Sequence, residues 1–98
     1  MPSPTSDSVS NGVTVRYWAA ARAAAGVDAD TVPAEGGTTL ADVLAACRAL
    51  HPDRPRLAEV IGVCSVLVGE RPVGAKDPAQ VSLSPGDTVE LLPPFAGG

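Results

Sequence analysis

Aromatic side chains are scarce in this chain: Tyr17, Trp18 and Phe95 are the only three. Its core must therefore be built from Val, Leu and Ala. Histidine is rarer still, with His51 alone, and the cysteines are two, Cys47 and Cys64. A zinc site needs more ligands at closer spacing, so no metal is expected. Basic residues are outnumbered by acidic ones, seven to eleven, for a net charge of −4. Phosphate-neutralising proteins carry a basic stripe, and none is visible, which argues against nucleic acid and anionic membranes as partners. Long apolar runs are absent too. Ala19 to Ala21 and Ile61 to Gly69 fall far short of the roughly 20 residues a membrane helix needs. No basic segment followed by an apolar stretch opens the chain, so no secretory signal is read and a soluble, cytoplasmic protein is expected.

What remains is 98 residues, 45% of them hydrophobic. That suits one small globular domain with a modest core and little room for a deep pocket. A self-contained enzyme is disfavoured. The nucleotide loop G-x-x-x-x-G-K-[ST], the dinucleotide fingerprint G-x-G-x-x-G, the zincin H-E-x-x-H and the hydrolase G-x-S-x-G are all missing. The carboxylates Asp28, Asp30, Glu35, Asp53, Asp77 and Asp87 fall in expected loops and read as solvent-facing charges. Cys47 and His51 are spaced i, i+4 and would share a helix face, but nothing orients them for nucleophilic work. Core packing is the better reading of both cysteines.

Residues 1–12, with two prolines and four serines, read as a disordered arm. Val13, Val15 and Tyr17 alternate as one face of a strand; Trp18, on the opposite parity or in the exit turn, reads as a second-side core residue or a partner contact, with the core favoured. Ala19 to Ala25 predicts a short helix closed by Gly26. Thr31-Val32 before Pro33 predicts a second strand, and Glu35-Gly36-Gly37 a turn. Thr39 with Asp42 marks the start of the clearest helix. Its apolar stripe is Leu40, Val43, Leu44, Cys47 and Leu50. Leu57 to Ile61 reads as a helical turn broken at Gly62. Val63 to Val68 reads as a central strand buried on both sides, with Cys64 inside it. Gly69-Glu70 turns the chain into a short edge return, Arg71 to Val73. Val81 to Leu83 leads through the Pro85-Gly86 turn to the last strand, Thr88 to Leu92, which Pro93-Pro94 ends. The expected fold class is α+β, a mixed sheet with one main helix across it.

The end of the chain, Phe95-Ala96-Gly97-Gly98, stands out because it follows a strand and two prolines directly. Four residues beyond Pro94 reach roughly 13 Å when extended. Glycines without Cβ atoms let the terminal carboxylate enter a narrow channel. The α-carboxylate of Gly98 is then a chemical handle.

The opening VTVRYWAAARAAAG, Val13 to Gly26, resembles the first strand and helix of the small, sulfur-carrying subunit of molybdopterin synthase. The segment SPGDTVELLPPFAGG, Ser84 to Gly98, resembles the Gly-Asp turn, last strand, paired prolines and Gly-Gly end of the same family. The resemblance implies a ubiquitin-like β-grasp over residues 13–94, with residues 95–98 a flexible tail. It further implies an E1-like partner that adenylates the Gly98 carboxylate with ATP, after which sulfur displaces AMP to leave a thiocarboxylate. The large synthase subunit would then receive the tail, and the sulfur would pass to a pterin precursor of the molybdenum cofactor. Gly98 would carry the sulfur and Gly97 keep the tail slim, while Leu92, Pro93, Pro94, Phe95 and Ala96 would dock it. No cofactor of the chain's own is implied. Sister carriers serving thiamine, cysteine or secondary metabolites, and ubiquitin-like protein modifiers, share the tail. If the main helix covers Val89 and Leu91, Leu92 is left on the outer face near Phe95, as part of an apolar patch for a partner.

Overall fold

The computed structural model describes residues 11–94. The readings made for the N-terminal arm up to residue 10 and for the tail at 95–98 lie outside the described residues. Strand β1 spans Gly12–Tyr17 and starts one residue earlier than expected. Helix α1 (Ala19–Ala25) follows at once. It ends where Gly26, at φ 79°, donates its N–H to the Arg22 carbonyl at 2.9 Å. Only glycine adopts this left-handed geometry without strain. A Cβ at Gly26 would also lie 2.7 Å from the Arg54 guanidinium packed against it.

Strand β2 (Ala29–Pro33) pairs antiparallel with β1. The two-residue strand β3 (Thr38–Thr39) pairs with β6 (Ser82–Leu83) in a separate ribbon. Helix α2 spans Leu40–Leu50, with Thr39 as its N-cap accepting from the Asp42 N–H. The cap is the one the sequence predicts. Leu40, Val43, Leu44 and Cys47 are buried, but Leu50 is 52% exposed. The stripe ends one turn early because His51, tied to Asp30 of β2, takes the inward position at the end of the helix.

Helix α3 (Pro55–Val63) replaces the single turn expected there. Pro55 starts it, since a missing N–H costs nothing in the first turn. Leu57 and Ile61, four residues apart, bury its inner face. Gly62 does not break it. Strand β4 consequently begins at Ser65, not Val63, and runs to Val68. Val63 ends the helix at 63% exposure and Cys64 caps it. Strand β5 (Arg71–Pro72) is the edge return, and a 3₁₀ turn (Pro78–Gln80) precedes β6. The last strand, β7, spans Thr88–Leu92.

The main sheet runs β2-β1-β7-β4-β5. The centre is β7, parallel to β1 and antiparallel to β4. The position expected for residues 63–68 therefore belongs to β7. Continuous apolarity misplaced that centre, because β4 is only half-buried and helices cover one face of the sheet alone. On that face, Val13, Val15, Tyr17, Val89 and Leu91 meet Leu40, Val43, Leu44 and Cys47 of α2, with Leu57 and Ile61 of α3. This is the α+β arrangement the composition and order of elements predict. No helix of the described residues is long and apolar enough to cross a membrane.

Candidate functional site at the end of the central strand

Strand β7 carries the chain towards its C-terminus through the middle of the sheet. Gly86, at φ 94°, shapes the turn before it. The Ser84 N–H donates to the Asp87 carboxylate at 2.8 Å and holds that turn. Along β7 the parity is strict. Val89 and Leu91 are fully buried, whereas Thr88, Glu90 and Leu92 face outward and are half-buried. Leu92 pairs with Ser65 as the last rung of the ladder. Pro93 and Pro94 have no N–H to extend it, so the chain leaves the sheet here. Pro93 is half-buried and Pro94 exposed. The candidate site residues Phe95, Ala96, Gly97 and Gly98 lie outside the described residues.

On the outer face beside this exit lies Trp18, for which the core was the favoured position and a partner contact the alternative. Trp18 is 38% exposed. Its backbone N–H donates to the Leu91 carbonyl at 3.2 Å, which seats it next to the root of the tail. Its indole N–H donates to Glu90 Oε1 at 3.0 Å, and the Arg16 guanidinium carbon lies 5.2 Å from the ring centroid. Arg16 and Glu90 face each other across β1 and β7. The indole is thus held from both sides, by a charge-assisted hydrogen bond and a cation–π contact. Trp18 is out of phase with Val13, Val15 and Tyr17, and that parity was the available signal. Leu92 is less exposed than expected, so Trp18 is the larger apolar element of this face.

The opposite face is closed by polar bonds. The Tyr17 hydroxyl donates to Asp30 Oδ2 at 2.7 Å, and His51 Nε2 lies 2.6 Å from the same oxygen. His51 is therefore held by a carboxylate of β2. The Tyr17 hydroxyl is pushed well above its ordinary range, chiefly by burial. Cys47 is fully buried and burial pushes its thiol up. Burial likewise raises Cys64 from 9.0 to about 11. Neither cysteine is a thiolate near neutral pH, so neither has the form a nucleophile needs. Among the described residues no three His, Cys, Asp or Glu side chains gather as a metal site would.

The described body thus places the end of the central strand, Leu92 to Pro94, beside an exposed aromatic side chain, Trp18. Residues 15–98 match the ThiS family. The chain belongs to that family. A curated relative, the molybdopterin synthase sulfur carrier subunit of Chlamydomonas reinhardtii, is 33% identical over 86 residues, 88% of this chain and 98% of its own length. Among solved structures, a chain in the complex of subunits 1 and 2 of the molybdopterin-converting factor from Helicobacter pylori resembles it. The TM-score is 0.58 at 25% identity, covering 89% of this chain and 99% of the other. The small archaeal modifier protein 1 of Methanosarcina acetivorans gives a TM-score of 0.69 at 24% identity, covering 89% of this chain and 96% of the other. That likeness carries the fold alone. The fold is the ubiquitin-like β-grasp expected from the resemblance, and ThiS-family membership agrees with the motifs at both ends of the chain.

Proposed function

We propose that this ThiS-family chain is the sulfur carrier of a molybdopterin synthase, with residues 13–94 as its body and 95–98 as its delivering arm. The supporting observation is the run of paired prolines, Phe95 and Gly97-Gly98 directly after the central strand, in a family match that extends through residue 98. The name of the Chlamydomonas relative supports the same reading. In this reading an oxygen of the Gly98 carboxylate attacks the α-phosphorus of ATP within an E1-like partner, and pyrophosphate leaves. Hydrosulfide, the sulfide-level sulfur, then adds to the acyl-adenylate carbonyl, the C–O bond to AMP breaks, AMP leaves with the electron pair, and loss of the S–H proton leaves the thiocarboxylate. Carboxylate oxygen is a poor leaving group and AMP a good one, which is why ATP is consumed. In this reading the ATP is bound by the partner, and the carrier works where ATP is available, in the cytoplasm.

The large synthase subunit would receive the tail, as the paired subunits of the Helicobacter complex suggest by analogy. The face formed by Trp18, Leu92 and Pro93 is continuous with the tail root and supplies the docking surface. Exposed Trp beside a polar rim is the composition of interface anchors. The test is deletion of Gly98, or addition of one residue after it. Thermal stability should be unchanged and sulfur transfer to the pterin precursor abolished. Normal transfer from the chain lacking Gly98 would exclude the carrier role.

A further inference from the structure

A groove of about 480 Å³ opens on the helix side of the sheet, between α2, α3 and strands β4 and β5. Leu40, Leu44, Ile61 and Val66 form its apolar wall, with Arg48 and Lys76 as cations along it. Among the described residues neither cation has an ion pair, on a chain whose net charge is −4. Ser65 lines the same groove and is the residue paired with Leu92, the last rung before the chain exits. The groove mouth therefore lies beside the root of the tail. We infer that it is a parking site for the chain's own C-terminal segment, Phe95 to Gly98. Four residues past Pro94 span roughly 13 Å, and they depart two residues after the rung that Leu92 forms with Ser65 at the start of β4. The segment's chemistry matches the groove: an aromatic ring for the apolar wall, then three small residues, then a carboxylate for Arg48. A guanidinium takes a carboxylate in a two-pronged geometry that also suits a thiocarboxylate. Parked, the terminus is withdrawn from solvent and from enzymes that act on it until a partner engages the outer face and draws it out. The parking itself needs no sulfur chemistry, so its failure would leave the proposed carrier function standing.

Gly62 supplies a clean test. It lies in α3 without a positive φ, lines the groove, and a Cβ there meets nothing within 4 Å. Gly62→Leu therefore fills the mouth while improving helix propensity. Arg48→Glu reverses the charge at an exposed position. A carboxypeptidase that removes glycine is applied to the full-length protein and the loss of Gly98 followed by intact mass. If about two thirds of the tails are parked, trimming of the unmodified chain is about threefold slower than in either variant. Thermal melts verify that both variants fold. Amide resonances of Gly62 and Arg48 should also shift when the chain is ended at Pro94. Equal trimming rates in all three proteins, or unmoved resonances, would overturn the proposal. Protection that disappears on dilution would also overturn it, assigning the groove to the tail of a second copy.

Discussion

Replacing Tyr17 by Phe isolates one interaction that holds the helix side of the sheet together. The Tyr17 ring is buried and stays so in the variant, so no cavity opens. What is lost is the hydroxyl that donates to Asp30 Oδ2 at 2.7 Å. Asp30 keeps its second partner, His51 at 2.6 Å, and is not left unpaired. A hydrogen bond to a charged acceptor contributes about 1.5–3 kcal/mol, and the retained His51 contact puts this case at the low end, about 1.5 kcal/mol. For a domain of this size each kcal/mol moves the melting temperature by about 4–8 °C, so Tyr17→Phe should lower Tm by about 6–12 °C. Asp30→Ala should cost more, because it strands a buried hydroxyl and frees His51 together. Differential scanning calorimetry at pH 7 reads both variants. The network lies on the face opposite Trp18, so sulfur loading of the folded fraction should be unchanged. A Tm within 1 °C of the parent for Tyr17→Phe, or a folded variant that no longer loads, would refute this reasoning.

Gly26→Ala should destabilise by more than about 1 kcal/mol, since it combines a left-handed backbone with a collision against Arg54; chemical denaturation measures it. Stability should also fall in alkali. The thiols of Cys47 and Cys64 hold their protons more tightly folded than unfolded, so their contribution is complete below the ordinary thiol range. It is lost as pH rises from 9.0 through about 11 for Cys64. A Cys47→Ala, Cys64→Ala variant should show a flatter Tm–pH profile above pH 9.0, and an unchanged slope would assign the alkaline loss elsewhere. Trp18→Ala should leave Tm nearly intact but weaken binding to the large synthase subunit by about 30-fold or more, the loss of an interface anchor of about 2 kcal/mol. Isothermal titration calorimetry with the purified partner checks it.

Much of this architecture is legible in residues. The Thr39–Asp42 cap, the Gly26 stop, the Gly69 and Gly86 turns and the Val89/Leu91 parity are local matters, decided by a few neighbouring side chains, and the structure shows each where it was expected. The misreadings share a different cause. Whether Ser65–Val68 or Thr88–Leu92 is the centre of the sheet depends on which strand β1 chooses as its parallel partner, a long-range pairing that apolarity alone does not encode. Gly62 reads as a breaker, yet burial of Leu57 and Ile61 against the core outweighs a propensity cost of about 1 kcal/mol. For Trp18 the sequence leaves a second-side core position and a partner contact both open, and favours the core. Its position instead follows strand parity and two partners, Glu90 and Arg16, of which Glu90 lies 72 residues away. At the candidate site, the handle at Gly98 is read from the order of residues, whereas the partners that hold Trp18 on the outer face, Glu90 and Arg16, are set by the sheet.

The central claim concerns the carboxylate of Gly98, and intact-mass spectrometry with fragmentation of the C-terminal peptide tests it most directly. The chain is incubated with ATP, a sulfur donor and the host's adenylating enzyme. The account predicts a mass gain equal to exchanging one oxygen for sulfur, mapped to Gly98, dependent on ATP and undiminished in the Cys47→Ala, Cys64→Ala variant. Sulfur found instead as a persulfide on either cysteine, with Gly98 unmodified, would contradict it.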